Sequence, residues 1–303
     1  MPALFRRLPL LLLAGALLSL TGQAQTATPY LVAPNLDAGI SLALDNPQAP
    51  PAGANLPDCR SATHPWPIVL INGTFAVMQT SFAALAPHLA NAGYCVHAFN
   101  YGLPYDGAFI GAVGPIGTSA EQLKSFVHSV LAQTGAAKVD LVGYSLGGML
   151  AEYYLKFLGG AQHVRALVAL SPTTHGTTFG NMAPMNGTQG LGGLLGTLCQ
   201  ACIEQLAGSA IIRRLDDGPI AQPGVRYTVI ETRHESVVTP VGSSFIHEPG
   251  VVNQYVQSWC PNDTVDHANL TYDNVVFRLI ENALDPKTAE PADCALAFPA
   301  AAR

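Results

Sequence analysis

The sequence predicts an α/β fold with a mostly parallel central sheet flanked by helices. Three observations carry this. Short, uninterrupted apolar runs recur along the 303 residues, of the length that suits strands covered on both faces. Segments of helical periodicity separate them, and a repeated strand–helix–strand order builds a parallel sheet with right-handed crossovers. Glycine and proline punctuate the ends of most segments. The length suits one large domain.

Residues 25–66 are rich in Pro, Ala and Asn and read as an irregular arm. Ile68-Val-Leu-Ile71 is the first strand and ends at Asn72-Gly73. From Ser81 to Asn91, the residues Phe82, Leu85 and Leu89 recur at helical spacing, and Gly93 stops the helix. Val96 to Phe99 is the next strand, followed by a Gly- and Pro-rich loop over 101–118. Thr118-Ser-Ala-Glu121 has the form of a capping box. It opens a helix with Leu123, Phe126, Val127, Val130 and Leu131 on one face, ended by Gly135. Val139 to Gly143 is a strand, a helix then runs to about Leu158, and Gly159-Gly160 closes it before the strand Val164 to Leu170. The alternation breaks at Ser171. The segment 172–222 is Gly-rich and apolar, centred on Gly190-Leu-Gly-Gly-Leu-Leu-Gly196, and reads as a cap inserted between strands. The sheet resumes at Tyr227 to Ile230 and near Val251 to Val256, and a last helix covers Tyr272 to Ala283.

At the start, Arg6 and Arg7 precede an apolar run from Leu8 to Leu20, with small residues at Gly22 and Ala24. This is the pattern of a secretory signal peptide over 1–24, which leaves 25–303 as a single domain. The run is shorter than the ~20 residues that span a bilayer. No cysteine follows it to carry a lipid, and no later segment is apolar enough to span, so no stable membrane anchor is expected. Lys and Arg total 14 against 20 Asp and Glu, a net charge of −6, which excludes the basic footprint of a nucleic-acid binder. It equally disfavours electrostatic docking on anionic membranes.

Six cysteines, Cys59, Cys95, Cys199, Cys202, Cys260 and Cys294, form an even set that reads as disulfides in an exported chain. Fifteen pairings are open. Cys199-Gln-Ala-Cys202 lacks the strand-then-helix context of a redox pair, and no second ligand pair is spaced for zinc. No metal and no cofactor is expected.

Gly143-Tyr-Ser145-Leu-Gly147 carries the chemistry. In a G-x-S-x-G turn between strand and helix, the glycines let neighbouring backbone pass close while the serine is held in a strained conformation, clear of the sheet. The amide of Leu146 then sits at a helix N-terminus, where developing negative charge is stabilised. A serine hydroxyl needs an oriented base, and on such an elbow the acid and then the base follow later in the chain. His234, His247 and His267 are late enough. His267 is preferred, because it lies in a loop past the last strand, where sites cluster in open α/β sheets. Glu235 is the preferred acid, directly after the strand 227–230. Glu231 falls within that strand, and Asp263 and Asp266 suit loop capping near His267. The second oxyanion donor is expected from Asn72-Gly-Thr-Phe75, with the Thr74 amide facing the oxyanion.

These patches resemble the secreted bacterial class 2 triacylglycerol lipases of the α/β-hydrolase fold, over residues 57–295. The resemblance is carried by Asn72-Gly-Thr-Phe75, Gly93-Tyr-Cys-Val96, Gly143-Tyr-Ser-Leu-Gly-Gly148, His175-Gly-Thr177, Cys199-Gln-Ala-Cys202, Leu206-Ala-Gly-Ser209, Val237-Val-Thr-Pro240 and Cys260-Pro-Asn-Asp263 followed by His267. It implies Ser145 as nucleophile, His267 as base and Glu235 as acid, with Thr74 and Leu146 as oxyanion donors. A more remote similarity to fungal lipases adds the Thr74 hydroxyl. The resemblance also implies the disulfides Cys59–Cys95, Cys199–Cys202 and Cys260–Cys294. Two positions depart from the family pattern: Glu235 stands where Asp is usual, and Asn72 where His usually precedes the oxyanion glycine. The expectation is a secreted serine ester hydrolase acting on lipid or other ester substrates, with Leu191, Leu194, Leu195 and Leu198 lining an acyl site. The alternatives are a short-chain carboxylesterase or polyester hydrolase with the same triad, or a non-catalytic lipid-binding homologue.

Overall fold

Apolar strands without a polar face must be covered on both sides, and the arrangement of the chain follows from that need. The computed structural model describes residues 28–180 and 197–298. The leader expected over 1–24, and Leu191, Leu194 and Leu195 of the expected acyl lining, lie outside these residues. Six strands, β1 (Ile68–Ile71), β2 (Val96–Ala98), β3 (Val139–Tyr144), β4 (Val164–Leu170), β5 (Arg226–Glu231) and β6 (Val251–Tyr255), form one parallel sheet. Their order is β2-β1-β3-β4-β5-β6. The chain therefore winds outward from β1 in both directions, which leaves the β1–β3 junction as the switch point where open α/β sheets place their sites.

Side chains alternate between two cores. Val69, Ile71, Leu141, Leu167 and Val229 face α4 (Ile116–Thr134) and α5 (Leu146–Phe157). Ile68, Leu70, Val142, Val168 and Ile230 face the opposite layer. That layer holds α2 (Met78–Phe82), α3 (Leu85–Asn91) and the last helix of the fold, Asn274–Leu284, whose Val276, Phe277 and Ile280 are buried. Period-two geometry thus persists in strands whose sequence shows no polar alternation. The arm over 25–66, expected to be irregular, instead carries a helix, α1 (Leu36–Asp45), which Asn35 caps by accepting from the Ala38 amide and which packs on α2.

Two helix boundaries differ from the sequence reading. The expected helix over 81–91 is two helices, α2 and α3, parted at Ala83-Ala84. Pro87 explains the break: a continuous helix would drive its ring into the carbonyl of Ala83. With the break, Pro87 falls in the first turn of α3, and the Ala83 carbonyl accepts instead from the Ala33 amide of the arm at 3.1 Å. The expected capping box at Thr118–Glu121 does not open α4, which starts at Ile116. The Ile116 amide donates to the Glu204 carboxylate at 2.7 Å, so a distant side chain supplies the cap. Gly135 ends α4 with φ 70°.

The segment between β4 and β5 carries α6 (Gln200–Glu204) and α7 (Ala210–Asp216). Disulfides join Cys59 to Cys95, Cys199 to Cys202 and Cys260 to Cys294, the same pairs the resemblance implies. Three disulfides suit an oxidising compartment. Among the described residues no helix is long and apolar enough to cross a membrane.

Candidate active site

The carboxyl ends of β1, β3 and β5 bring the expected residues together. The turn from β3 into α5 holds Ser145 at φ 54°, ψ −124°, in the positive-φ region that a non-glycine residue adopts only when its surroundings enforce it. The enforcement is visible in the flanking glycines. A Cβ on Gly147 would lie 2.0 Å from the Ile71 carbonyl oxygen, and one on Gly143 would lie 2.6 Å from the backbone of Gly147 and Gly148. The Ser145 amide donates to the Leu170 carbonyl at 2.8 Å, which ties the elbow to the neighbouring strand. Leu146 is the first residue of α5, so its amide is one of those that the helix leaves without an internal acceptor.

His267 faces this serine. Its Nε2 lies 3.0 Å from Ser145 Oγ and its Nδ1 2.7 Å from Glu235 Oε2. All three residues are 6% exposed. The His267 backbone is fixed twice. Asp266 caps the 3₁₀ turn His267–Tyr272 by accepting from the Asn269 amide, and the Tyr144 hydroxyl donates to the His267 carbonyl at 3.0 Å. Glu235 is fixed through its other oxygen, Oε1, which accepts the amides of Val237 at 2.7 Å and Val238 at 2.9 Å. Burial pushes this carboxyl up, but the His267 hydrogen bond and charge, with those two amides, outweigh it. Glu235 therefore sits below the ordinary carboxylate range and stays ionised.

The other candidates are engaged elsewhere. Asp266 Oδ1 accepts from the backbone and side chain of Asn269, and Asp263 Oδ1 from the Val265 amide. Glu231, the last residue of β5, accepts from the Gly242 amide, and burial raises its pKa to about 7. His234 and His247 are exposed.

The loop after β1 closes the other side of Ser145. A Cβ on Gly73 would come within 3.1 Å of Ser145 Cβ and of the Tyr144 ring, so glycine is what lets this backbone lie against the elbow. Asn72 is fully buried and braces the loop. Its Nδ2 donates to the carbonyls of Ala76 at 2.7 Å and Gly73 at 3.2 Å, while the Tyr101 hydroxyl donates to the Asn72 carbonyl at 2.6 Å. Thr74 Oγ1 accepts from Gln205 Nε2 at 2.9 Å. Phe75 follows with φ 62° and half-exposed. Among the described residues, no three His, Cys, Asp or Glu side chains converge as a metal-binding set.

The model of the family described as lipase (class 2) matches residues 65–279. The chain belongs to the class 2 lipase family. It is 34% identical over 101 residues to a triacylglycerol lipase of Pseudarthrobacter phenanthrenivorans, covering 32% of this chain and 30% of that protein. It is likewise 34% identical over 101 residues to a triacylglycerol lipase of Burkholderia plantarii, covering 32% of this chain and 26% of that protein. The matches thus span less than a third of either relative. Among solved structures it is similar to Aspergillus fumigatus lipase B, with a TM-score of 0.61 and 21% identity over 76% of this chain and 54% of that one. It is also similar to the mature form of Bacillus licheniformis lipase BlEst2, with a TM-score of 0.55 and 17% identity over 76% of this chain and 95% of that one. These likenesses show the α/β-hydrolase fold.

Within this class 2 lipase chain, two residues at the site escaped the sequence reading. Tyr144 occupies a variable position of the serine motif, and nothing local says that its hydroxyl holds the His267 backbone. Gln205 lies 131 residues from Thr74 in sequence, with only its nearness to Cys199-x-x-Cys202 to single it out. The departure at Glu235 is accommodated by geometry: the longer arm reaches His267 with one oxygen while the other keeps both loop amides.

Proposed function

We propose that the chain is an exported serine ester hydrolase that cleaves lipid esters, triacylglycerols in the first place, through an acyl-enzyme on Ser145. The observation that carries this is the continuous hydrogen-bonded relay from Glu235 through His267 to Ser145, at 2.7 and 3.0 Å. Ser145 Oγ attacks the ester carbonyl as His267 Nε2 takes its proton. Ionised Glu235 holds the tautomer with hydrogen on Nδ1 and stabilises the imidazolium that forms. The Thr74 and Leu146 amides receive the charge on the carbonyl oxygen. His267 then protonates the departing alcohol, and a water, deprotonated by the same ring, releases the acid and restores the serine. The half-exposed Phe75, which follows Thr74 in the loop lying against the elbow, adds an apolar side chain suited to acyl chains beside the site. The relatives named triacylglycerol lipase support the same substrate class.

In the same reading, 1–24 is a cleaved leader, 25–303 one α/β-hydrolase domain and 172–222 its cap. The destination is extracellular or periplasmic, a placement that the three disulfides support. The test compares fatty-acid release from emulsified long-chain triacylglycerol with hydrolysis of a soluble short-chain ester, for wild type and Ser145→Ala. Release from the emulsion that vanishes in the variant is the expected result. Hydrolysis confined to the soluble ester reassigns the protein to the carboxylesterases. No hydrolysis of either by folded protein overturns the reading.

A further inference from the structure

Gln205 is 1% exposed, and every polar group of its side chain is used. Nε2 donates to Thr74 Oγ1 at 2.9 Å and to the Ala201 carbonyl at 3.1 Å, while Oε1 accepts from Thr173 Oγ1 at 3.1 Å. The orientation of this amide is not arbitrary. A backbone carbonyl can only accept, so the nitrogen must lie on the side of Ala201, which is also the side of Thr74. Thr74 Oγ1 is therefore an acceptor towards Gln205. A hydroxyl has a single proton, and an amide nitrogen offers no lone pair to receive it, so that proton points elsewhere. Among the described residues it meets no acceptor. The loop that carries it lies against the elbow, at Gly73 beside Ser145.

We infer that Gln205 is a positioning residue that turns the Thr74 hydroxyl into the oxyanion site, where it adds a third donor to the amides of Thr74 and Leu146. The inference rests on the reading of Ser145 as the nucleophile and deepens it. A hydroxyl that accepts a hydrogen bond is polarised into a better donor, so Gln205 sets both the direction and the strength of the Thr74 contact. Its own position is over-determined. The Gln205 amide bonds the Ala201 carbonyl at the end of α6, and the Gln205 carbonyl accepts from the Thr177 amide at 2.9 Å. The Cys199–Cys202 disulfide closes the turn that opens α6, the Ala201 amide donates to the Val113 carbonyl at 3.1 Å, and Glu204 caps α4. The segment following β4 thus serves the oxyanion loop after β1 through one side-chain amide.

The test is a double-mutant cycle with Gln205→Leu and Thr74→Val, read as kcat and KM on a soluble p-nitrophenyl ester. Thr74→Val should lower kcat by about 100-fold and Gln205→Leu by about 10-fold, with KM little changed, since the donor acts on the transition state. The double variant should be no slower than Thr74→Val alone, because Gln205 acts only through that hydroxyl. Thr74→Ser, which keeps the hydroxyl, should retain most of the rate. The isosteric Gln205→Glu should lose rate as pH rises through the carboxyl's titration, since an ionised carboxylate accepts the Thr74 proton and turns it away. This variant carries the cycle should Gln205→Leu not fold. Losses that multiply in the double variant, or Gln205 variants with kcat within about twofold of wild type, overturn the inference; effects of that size mean no transition-state donor was lost. The underlying reading fails separately, if wild type neither hydrolyses the ester nor takes a phosphonate on Ser145.

Discussion

Replacing Glu235 with glutamine keeps the shape of the relay and breaks its logic. Oε1 accepts two backbone amides, from Val237 and Val238. The glutamine must keep its oxygen there, so its NH₂ faces His267 Nδ1. That forces Nδ1 to accept and places the ring proton on Nε2, where it blocks transfer from Ser145. Restoring the productive tautomer means flipping the amide and leaving two buried donors unpaired, at about 1–3 kcal/mol each, and the charged partner of the imidazolium is lost for about 1 kcal/mol more. Together these amount to about 3–7 kcal/mol, or roughly 10²- to 10⁵-fold in kcat, a range that includes the ~10⁴ loss caused by the analogous Asp→Asn replacement in a Ser-His-Asp relay. The assay is kcat on a soluble p-nitrophenyl ester, with the downfield Nδ1 proton of His267 followed by NMR. Folded Glu235→Gln protein with kcat within about tenfold of wild type would mean that Glu235 does not set the His267 tautomer, since a wrong tautomer cannot be that harmless.

Three further outcomes follow from groups outside the relay. Burial raises Glu152 to about 8, so the fold holds it neutral. Below its ordinary pKa both folded and unfolded chains carry the proton. As pH rises towards 8 only the unfolded chain releases it, and stability falls by at most about 5 kcal/mol. Urea midpoints at pH 5 and pH 8.5 should therefore fall less steeply in Glu152→Gln than in wild type; equal slopes would contradict the assignment. Removing Cys59–Cys95, which spans 36 residues, should destabilise by about 4 kcal/mol in the chain-entropy model. Removing Cys199–Cys202, which spans 3, should cost about half as much stability while lowering kcat through Gln205. Thermal melts and ester turnover of the paired Cys→Ser variants separate the two effects, and an unchanged kcat in the second would contradict the role given to α6.

What could be read from the sequence depended on how local the cause was. The strands β1 and β3 and the serine elbow are specified by contiguous residues, and so are the stop at Gly135 and the direct succession of β5 and Glu235. The break at Ala83-Ala84 was legible in Pro87 but outweighed there by the apolar spacing of Phe82, Leu85 and Leu89. The start of α4 was not legible, because its cap comes from Glu204, 88 residues away. The same holds for Tyr144 and Gln205, whose importance lies in a single contact each with a partner remote in the chain. Chain order could rank His267 above His247 and His234, but only the folded geometry sets it 3.0 Å from Ser145 Oγ while the other two lie exposed.

Every step proposed for ester cleavage depends on Ser145 being a nucleophile activated by His267. Treatment with an aryl phosphonate, followed by peptide mass spectrometry, measures that most directly. One adduct per chain is expected on the peptide bearing Ser145, with loss of ester hydrolysis in step with labelling and no adduct in Ser145→Ala. Hydrolysis that persists in a fully labelled protein, or in Ser145→Ala, would contradict it.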